Sequence, residues 1–169
     1  MLAPLDQLTR NPSVADLVKA SLGRVTDALQ EGQQPMAWET LPLSSFGVAL
    51  PDAIVSCWVF VIRPGLDTGA ERHPNSHQRS MSLTGQGEFH LRSGRQWRPH
   101  ALVSSADASL ERRWVSIPPN TWHRLLVGDA PWGMLSFHTV REGDLIEERP
   151  STSDLDDGPT SSRRYADHD

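Results

Sequence analysis

The sequence predicts an all-β domain, built as a sandwich or barrel of short antiparallel strands, with one amphipathic helix near its N-terminus. The 169 residues include 13 prolines and 12 glycines, which favours many short segments over long helices. Runs of β-branched and aromatic residues alternate with Gly, Pro and Asn turns through the middle of the chain, a pattern typical of sandwiches and barrels. The length fits a single domain with enough residues to bury a core.

The N-terminal segment, residues 1–34, is predicted to hold the helix. Asn11 followed by Pro12 is typical of an N-cap and a first helical position, and Gly32 marks the expected end. Apolar residues between these points recur at helical spacing and form one stripe: Val14, Leu17, Val18, Leu22, Val25 and Leu29. We expect this helix to dock on the main body as a structural brace.

Residues 35–147 are predicted to form the β domain. Its first clear strand, Ile54 to Ile62, is an apolar run that stops before Pro64-Gly65, so it should be buried on both faces. Further strands, each ended by turn residues, are expected at 78–84, 88–92, 113–117, 122–127 and 133–140. Residues 148–169 are polar, and we expect a disordered tail or a loosely packed strap, because few apolar groups are present to offset the ordering entropy.

Composition excludes several classes of function. The net charge of −5 gives no basic surface for nucleic acid. The sequence shows no apolar run of membrane-spanning length, and its first residues do not predict secretion. Cys57 is its only cysteine, so no intrachain disulfide is expected. We therefore expect a cytoplasmic protein with neither nucleic acid nor a membrane as partner.

Histidines mark the candidate site. His73 and His77 lie between two predicted strands, His123 follows a proline turn, and His138 lies within a strand. Imidazole is the commonest protein ligand for zinc, iron, copper and nickel. Residues two apart in an extended segment face the same side, so Glu71 and His73 can point at one centre. A third ligand from a distant strand would close the site, and His123 is the natural candidate.

Two motifs in this region resemble those of the cupins. The stretch from Gly65 to Gly87 resembles the first cupin motif, in which two ligands in X-x-H spacing precede a carboxylate or amide ligand and a hairpin glycine, here Gly85. The stretch from Pro118 to His123 resembles the second motif, P-x-G-x-x-H, with Asn120 in place of glycine. Asn also tolerates a left-handed backbone, so that exchange is mild. The resemblance implies a double-stranded β-helix, the cupin jelly-roll barrel, around one divalent metal ion.

The same resemblance implies a ligand set. Glu71 and His73 fall at the two histidine positions of the first motif, Gln78 falls at its glutamate position, and His123 is the last ligand. Glu71, His73 and His123 would form a two-histidine, one-carboxylate triad, which favours Fe(II), while Zn, Ni and Mn stay open. Gln78 is either a weak ligand or a partner of bound water, and His77 competes as a ligand if the loop is arranged differently.

A narrower resemblance is to the thiol dioxygenase branch of the cupins. It rests on the run from His73 to His77, on His123, and on the later Ser136-Phe137-His138. That branch has histidine at the position of Glu71 and tyrosine at the position of Val140, so its hydrogen-bond relay is incomplete here. His138 is the expected hydrogen-bonding partner of ligands or substrate.

These observations favour a mononuclear non-haem dioxygenase that acts on a small polar or carboxylate-bearing molecule. Arg63 is the expected clamp for a substrate carboxylate, because a guanidinium suits that group. A non-redox isomerase or lyase, or a non-catalytic cupin that binds a small molecule, are the alternatives. A homodimer is expected only by analogy with other cupins.

Overall fold

The computed structural model describes residues 1–151 and 160–164. Two helices precede the β domain: α1 (Leu2–Thr9) and α2 (Pro12–Glu31). The ends of α2 match the sequence prediction, because Asn11 accepts a hydrogen bond from the backbone N–H of Ser13 and Gly32 is the C-cap residue. The helix α1 has no counterpart in the sequence prediction. No helix in the described ranges has the length and apolar composition needed to cross a bilayer.

In the described part of the chain ten strands follow, with two 3-10 turns and the short helix α3 (Leu110–Arg113) between them. In chain order the strands are β1 (Met36–Thr40), β2 (Ser56–Ile62), β3 (Gln78–Thr84), β4 (Gln86–Ser93), β5 (Gln96–Val103), β6 (Trp114–Ile117), β7 (His123–Val127), β8 (Trp132–His138), β9 (Ile146–Pro150) and β10 (Thr160–Arg164). The strand predicted over 78–84 is confirmed without change, whereas β1, β5, β9 and β10 were not predicted.

The strands form antiparallel sheets. The larger sheet has the order β1-β2-β8-β3-β6, and the smaller one has the order β5-β4-β7. Buried residues of both sheets share one core cluster, which includes Ile62 and Met134 from the larger sheet and Phe89 and Leu125 from the smaller sheet. Because the two sheets enclose a common interior, the predicted β-sandwich or barrel with an N-terminal helix is confirmed.

The opposite face of the larger sheet carries a second core cluster, into which α1 and α2 pack. Leu5, Val14 and Val18 of the helices join Val59 and Phe137 of the sheet there. Burying apolar side chains contributes about 1.5–3 kcal/mol each, so the helix docking is a substantial part of the fold. This docking agrees with the expected role of the N-terminal helix as a brace.

The predicted boundary at residue 147 falls inside β9. This strand pairs with β10, Thr160 opposite Pro150 and Arg164 opposite Ile146, and Glu147 is only 1% exposed. The first residues of the predicted tail therefore belong to a two-stranded sheet, and the parts of the tail at 152–159 and 165–169 lie outside the described residues.

Candidate metal centre

Glu71, His73 and His123 form a cluster inside the barrel. Their ligand atoms, one from each side chain, all lie within 4.8 Å of one another. The cluster is shielded from solvent, since His73 is 4% exposed and His123 is fully buried. The structure therefore brings together the three residues that the sequence placed in a two-histidine, one-carboxylate triad.

The backbone holds these residues in place. Glu71 and His123 exchange two backbone hydrogen bonds of 2.8 Å, so the loop before β3 is locked against the start of β7. The carbonyl of His73 accepts a hydrogen bond of 3.0 Å from the N–H of Asn120. Asn120 has a positive φ of 62°, the left-handed conformation that its place in the second motif requires. Both motifs therefore meet through main-chain contacts as well as through their ligands.

Backbone carbonyls fix the tautomers of both histidines. Nδ1 of His73 lies 2.9 Å from the carbonyl oxygen of Ile146, and Nδ1 of His123 lies 3.0 Å from that of Thr121. A carbonyl oxygen only accepts, so Nδ1 must donate in each ring, which leaves a lone pair on Nε2 when the ring is neutral. Burial, together with the nearby His123, lowers the pKa of His73, which favours that neutral form. Such hydrogen bonds orient histidines that bind metals.

Glu71 supplies an ionised carboxylate. Its Oε2 accepts a hydrogen bond of 2.6 Å from Arg149, while its Oε1 lies 3.4 Å from Nε2 of His123. Burial raises the pKa of Glu71, but His123, His73 and Arg149 outweigh it and lower the pKa to about 2. The contact with His123 lacks hydrogen-bond geometry, and Nε2 of His123 has no hydrogen-bond partner among the described residues.

Gln78 faces the same cavity from β3. Its amide nitrogen donates to the hydroxyls of Ser80 (3.0 Å) and Ser136 (3.2 Å). With the amide in this orientation, Oε1 of Gln78 is buried and has no hydrogen-bond partner in the described part of the chain. A buried carbonyl oxygen without a partner is uncommon, and this atom is available to a metal ion or to a bound water.

His138 lies beside the cluster and outside it. Its ring centre is 5.5 Å from that of His73, and its Nδ1 lies 3.1 Å from the hydroxyl of Ser76. Burial lowers the pKa of His138 well below its ordinary value, with further lowering from His73 and His123, so the ring is neutral at pH 7. Its hydrogen bond goes to Ser76, whereas Ser136 bonds to Ser80 at 2.6 Å. The Ser-x-His pair of the thiol dioxygenase resemblance therefore does not form one continuous relay.

Two of the sequence-predicted site residues lie elsewhere. Nε2 of His77 lies 2.8 Å from the hydroxyl of Ser116, away from the cluster of ligand atoms. Arg63, the expected clamp for a substrate carboxylate, is engaged elsewhere. Its guanidinium donates to the carbonyls of Leu29 (2.6 Å), Gly32 (2.8 Å) and Gln34 (2.9 Å). Because the last carbonyls of a helix lack partners within it, Arg63 caps the C-terminus of α2 instead of contacting a substrate.

Arg149 is the site residue that sequence reasoning missed. Besides Glu71, it donates to a carboxylate oxygen of Glu147 at 2.7 Å and to the carbonyl of Thr68 at 2.8 Å. It lies in β9, within the segment predicted as a polar tail, so no strand pattern indicated an inward contact. The surrounding cavity has a volume of about 50 Å³. Its apolar wall consists of Met36, Trp58, Phe60, Ile62, Leu125 and Leu145.

Comparisons with known proteins agree with this architecture. No protein-family model matches the sequence, and no curated protein matches it. Among solved structures, the chain is similar to CapF, a capsular polysaccharide assembling protein from Staphylococcus aureus, with a TM-score of 0.50 and 14% identity over 77% of this chain and 32% of that one. An oxalate decarboxylase from Lactobacillus farciminis gives a TM-score of 0.48 and 18% identity over 64% and 30% of the two chains. An oxalate oxidase gives a TM-score of 0.47 and 15% identity, over 64% of this chain and 52% of that one.

At such identities the similarity shows the fold alone. The chain spans between 30% and 52% of the length of the oxalate-processing structures and 32% of CapF. The protein therefore has the cupin fold, the double-stranded β-helix barrel that its two motifs resemble, and it carries a candidate metal centre in the barrel. The thiol dioxygenase branch is not shown by these comparisons and stays a hypothesis.

Proposed function

We propose that this protein is a mononuclear metal-dependent enzyme, a non-haem dioxygenase that acts on a small polar or carboxylate-bearing molecule. The cluster of Glu71, His73 and His123 carries the proposal. Two imidazoles and one carboxylate are the donor set that non-haem Fe(II) oxygenases use, which favours Fe(II). A bound ion of this kind supplies an electrophilic centre with open positions for substrate and dioxygen.

The residues present fit such an ion. Nε2 of His123 and Oε1 of Gln78 are buried polar atoms that lack hydrogen-bond partners among the described residues. Leaving such atoms unsatisfied costs about 1–3 kcal/mol each, and a cation would remove that cost. Arg149 hydrogen-bonds Oε2 of Glu71, whereas the other oxygen, Oε1, faces Nε2 of His123. These features support a site built for a cation.

The remaining residues of the cavity support small-molecule chemistry. The apolar wall, with Trp58 and Leu125 among its members, excludes water from the reacting groups. Ser76 engages Nδ1 of His138, so Nε2 is the nitrogen of His138 through which a proton can be exchanged with a bound substrate.

A non-redox isomerase or lyase is the second candidate, and Gln78 favours it. The orphan amide oxygen of Gln78 and the carboxylate of Glu71 together make an oxygen-rich donor set, which suits Mn and other Lewis-acidic ions. A homodimer and a cytoplasmic location stay predictions.

Turnover assays separate the candidates. The purified protein is stripped of metal, reloaded with Fe(II), Mn, Ni or Zn in separate samples, and supplied with a panel of small thiols and carboxylates. A dioxygenase consumes dissolved oxygen with Fe(II) in the presence of one substrate class. An isomerase or lyase converts a substrate without oxygen uptake and accepts a redox-inert ion. Binding of panel members without conversion under any metal would instead show a non-catalytic cupin and would overturn both enzymatic proposals.

A further inference from the structure

Arg79 lies on the face of the larger sheet opposite the metal centre. Side chains alternate along β3, so Gln78 and Ser80 point into the barrel and Arg79 shares the outer face with Met81 and Leu83. Those two apolar residues pack against the core cluster beneath the helices. Arg79 therefore stands at one end of an apolar surface, separated from the candidate metal centre by the sheet itself.

The guanidinium of Arg79 is buried without a partner. Only 6% of the residue is exposed, and its Nε and Nη1 are buried atoms with no hydrogen-bond partner in the described ranges. The cation–π contacts found among described residues belong to Arg72 and Arg124. By contrast, Arg113 is 3% exposed and is paired with the carboxylate of Asp6. Arg79 thus differs from the other deeply buried arginine in having no counter-charge.

An unpaired buried cation calls for an anion. Arginine stays protonated at neutral pH, and buried charges in proteins are almost always paired because their desolvation is costly. None of the ion pairs between described residues involves Arg79. No described residue therefore supplies a counter-charge for Arg79, and an anion bound beside it would do so.

Two hydrogen-bonding side chains lie next to this cation. Ser116 of β6 stands directly opposite Arg79 in the register of the sheet. The hydroxyl of Ser116 lies 2.8 Å from Nε2 of His77, which places that imidazole on the same face. Because Ser116 and a neutral His77 hydrogen-bond to each other, this pair keeps one donor, which can join the guanidinium of Arg79 in hydrogen-bonding one oxyanion.

We propose that Arg79, Ser116 and His77 form a second ligand site, which binds a small oxyanion on the outer face of the larger sheet. A guanidinium matches the oxygen geometry of carboxylate and phosphate groups, so the ligand class is a carboxylate or a phosphate. The small exposed fraction of Arg79, 6%, does not belong to Nε or Nη1, which are buried, so the anion would approach the guanidinium from the side of Nη2. The site is independent of the candidate metal centre, because it uses the opposite face of β3.

Anion-dependent thermal stability tests this proposal. The full chain, treated with a chelator, is titrated with inorganic phosphate and separately with acetate, and sodium chloride holds the ionic strength constant. A ligand that binds only the folded state should raise Tm by about 3–6 °C at a tenfold excess over its Kd. The anion that raises Tm shows whether the site binds a phosphate or a carboxylate group. No rise with either anion overturns the proposal.

Variants locate the effect. Arg79→Gln should abolish the rise, whereas Arg63→Gln, which changes an arginine whose donors are taken up by carbonyls, should retain it. If Arg79→Gln does not fold, Ser116→Ala replaces it and should weaken anion binding by about 2- to 13-fold in calorimetry. An unchanged rise in the variant used contradicts the assignment. A rise that disappears in His123→Ala and persists in Arg79→Gln would place the anion in the barrel and overturn the proposal.

Discussion

Replacing Gly85 with alanine should destabilise the fold strongly. Gly85 lies between β3 and β4 with a positive φ of 73°, and an added Cβ would lie 2.5 Å from the carbonyl oxygen of Pro131. The left-handed conformation costs an alanine about 1–2 kcal/mol, and overpacking against a fixed backbone adds about 1–3 kcal/mol. We therefore expect Gly85→Ala to lower the free energy of unfolding by about 2–5 kcal/mol, within the 5–15 kcal/mol that a domain has.

Gly94 provides the matched control. It has a positive φ of 59°, and an added Cβ would have no heavy atom within 4 Å. Gly94→Ala should therefore cost only the conformational part, about 1–2 kcal/mol. Urea unfolding followed by tryptophan fluorescence measures both values, since the chain has six tryptophans. Equal losses in the two variants would show that the close approach between Gly85 and Pro131 does not restrict the hairpin.

Two further predictions concern the helical layer. Burial raises the pKa of Asp6, but hydrogen bonds from Trp114 and Arg10 and the charge of Arg113 outweigh it, so the pKa is lowered. A lowered carboxyl pKa contributes stability above the unfolded value of about 3.9 and loses it as the pH falls through the folded value. The difference in unfolding free energy between wild type and Asp6→Asn should therefore have its largest value at pH 7 and should shrink below about pH 4. Urea unfolding at a series of pH values measures this difference. A difference that does not change with pH would contradict the prediction. Arg63→Met removes three hydrogen bonds to carbonyls at and after the end of α2. Thermal unfolding should show that the free energy of unfolding falls by about 1–3 kcal/mol, while the affinity for metal stays unchanged. Reduced metal affinity in that variant would instead point to a role for Arg63 at the site.

The sequence predicted those features that are determined by residues close together in the chain. The ends of α2 follow from Asn11 and Gly32, because caps act within one turn. The Glu71–His73 pair follows from the alternation of an extended segment, and the fold follows from two motifs that must meet in space. In each case the determining contact lies within a few residues, or the pattern itself specifies the partner.

The features that were missed depend on distant contacts. The strand β5 contains Pro99 and is mostly exposed, as an edge strand can be, so it lacks the pattern of a buried strand. Arg63 reaches a carbonyl 34 residues away, and Arg149 reaches Glu71 across 78 residues. A sequence shows that such an arginine exists, whereas only the assembled fold determines where its guanidinium lies.

The placement of His77 is a different case. Gln78 faces the cavity, and neighbouring residues in an extended segment point to opposite sides, so His77 had to face away. Applying the alternation that separates Gln78 from Arg79 to His77 as well would have removed it from the candidate ligands.

Metal content per chain tests the central claim most directly. Wild-type protein, His123→Ala and the control His77→Ala are purified in parallel and analysed by inductively coupled plasma mass spectrometry. Because His123 is a buried member of the ligand cluster and His77 bonds to Ser116 instead, we expect one ion per chain in the wild type and in His77→Ala. In His123→Ala we expect almost none. Equal metal content in all three proteins, or none in the wild type after reloading, would contradict the assignment of a mononuclear metal site to Glu71, His73 and His123.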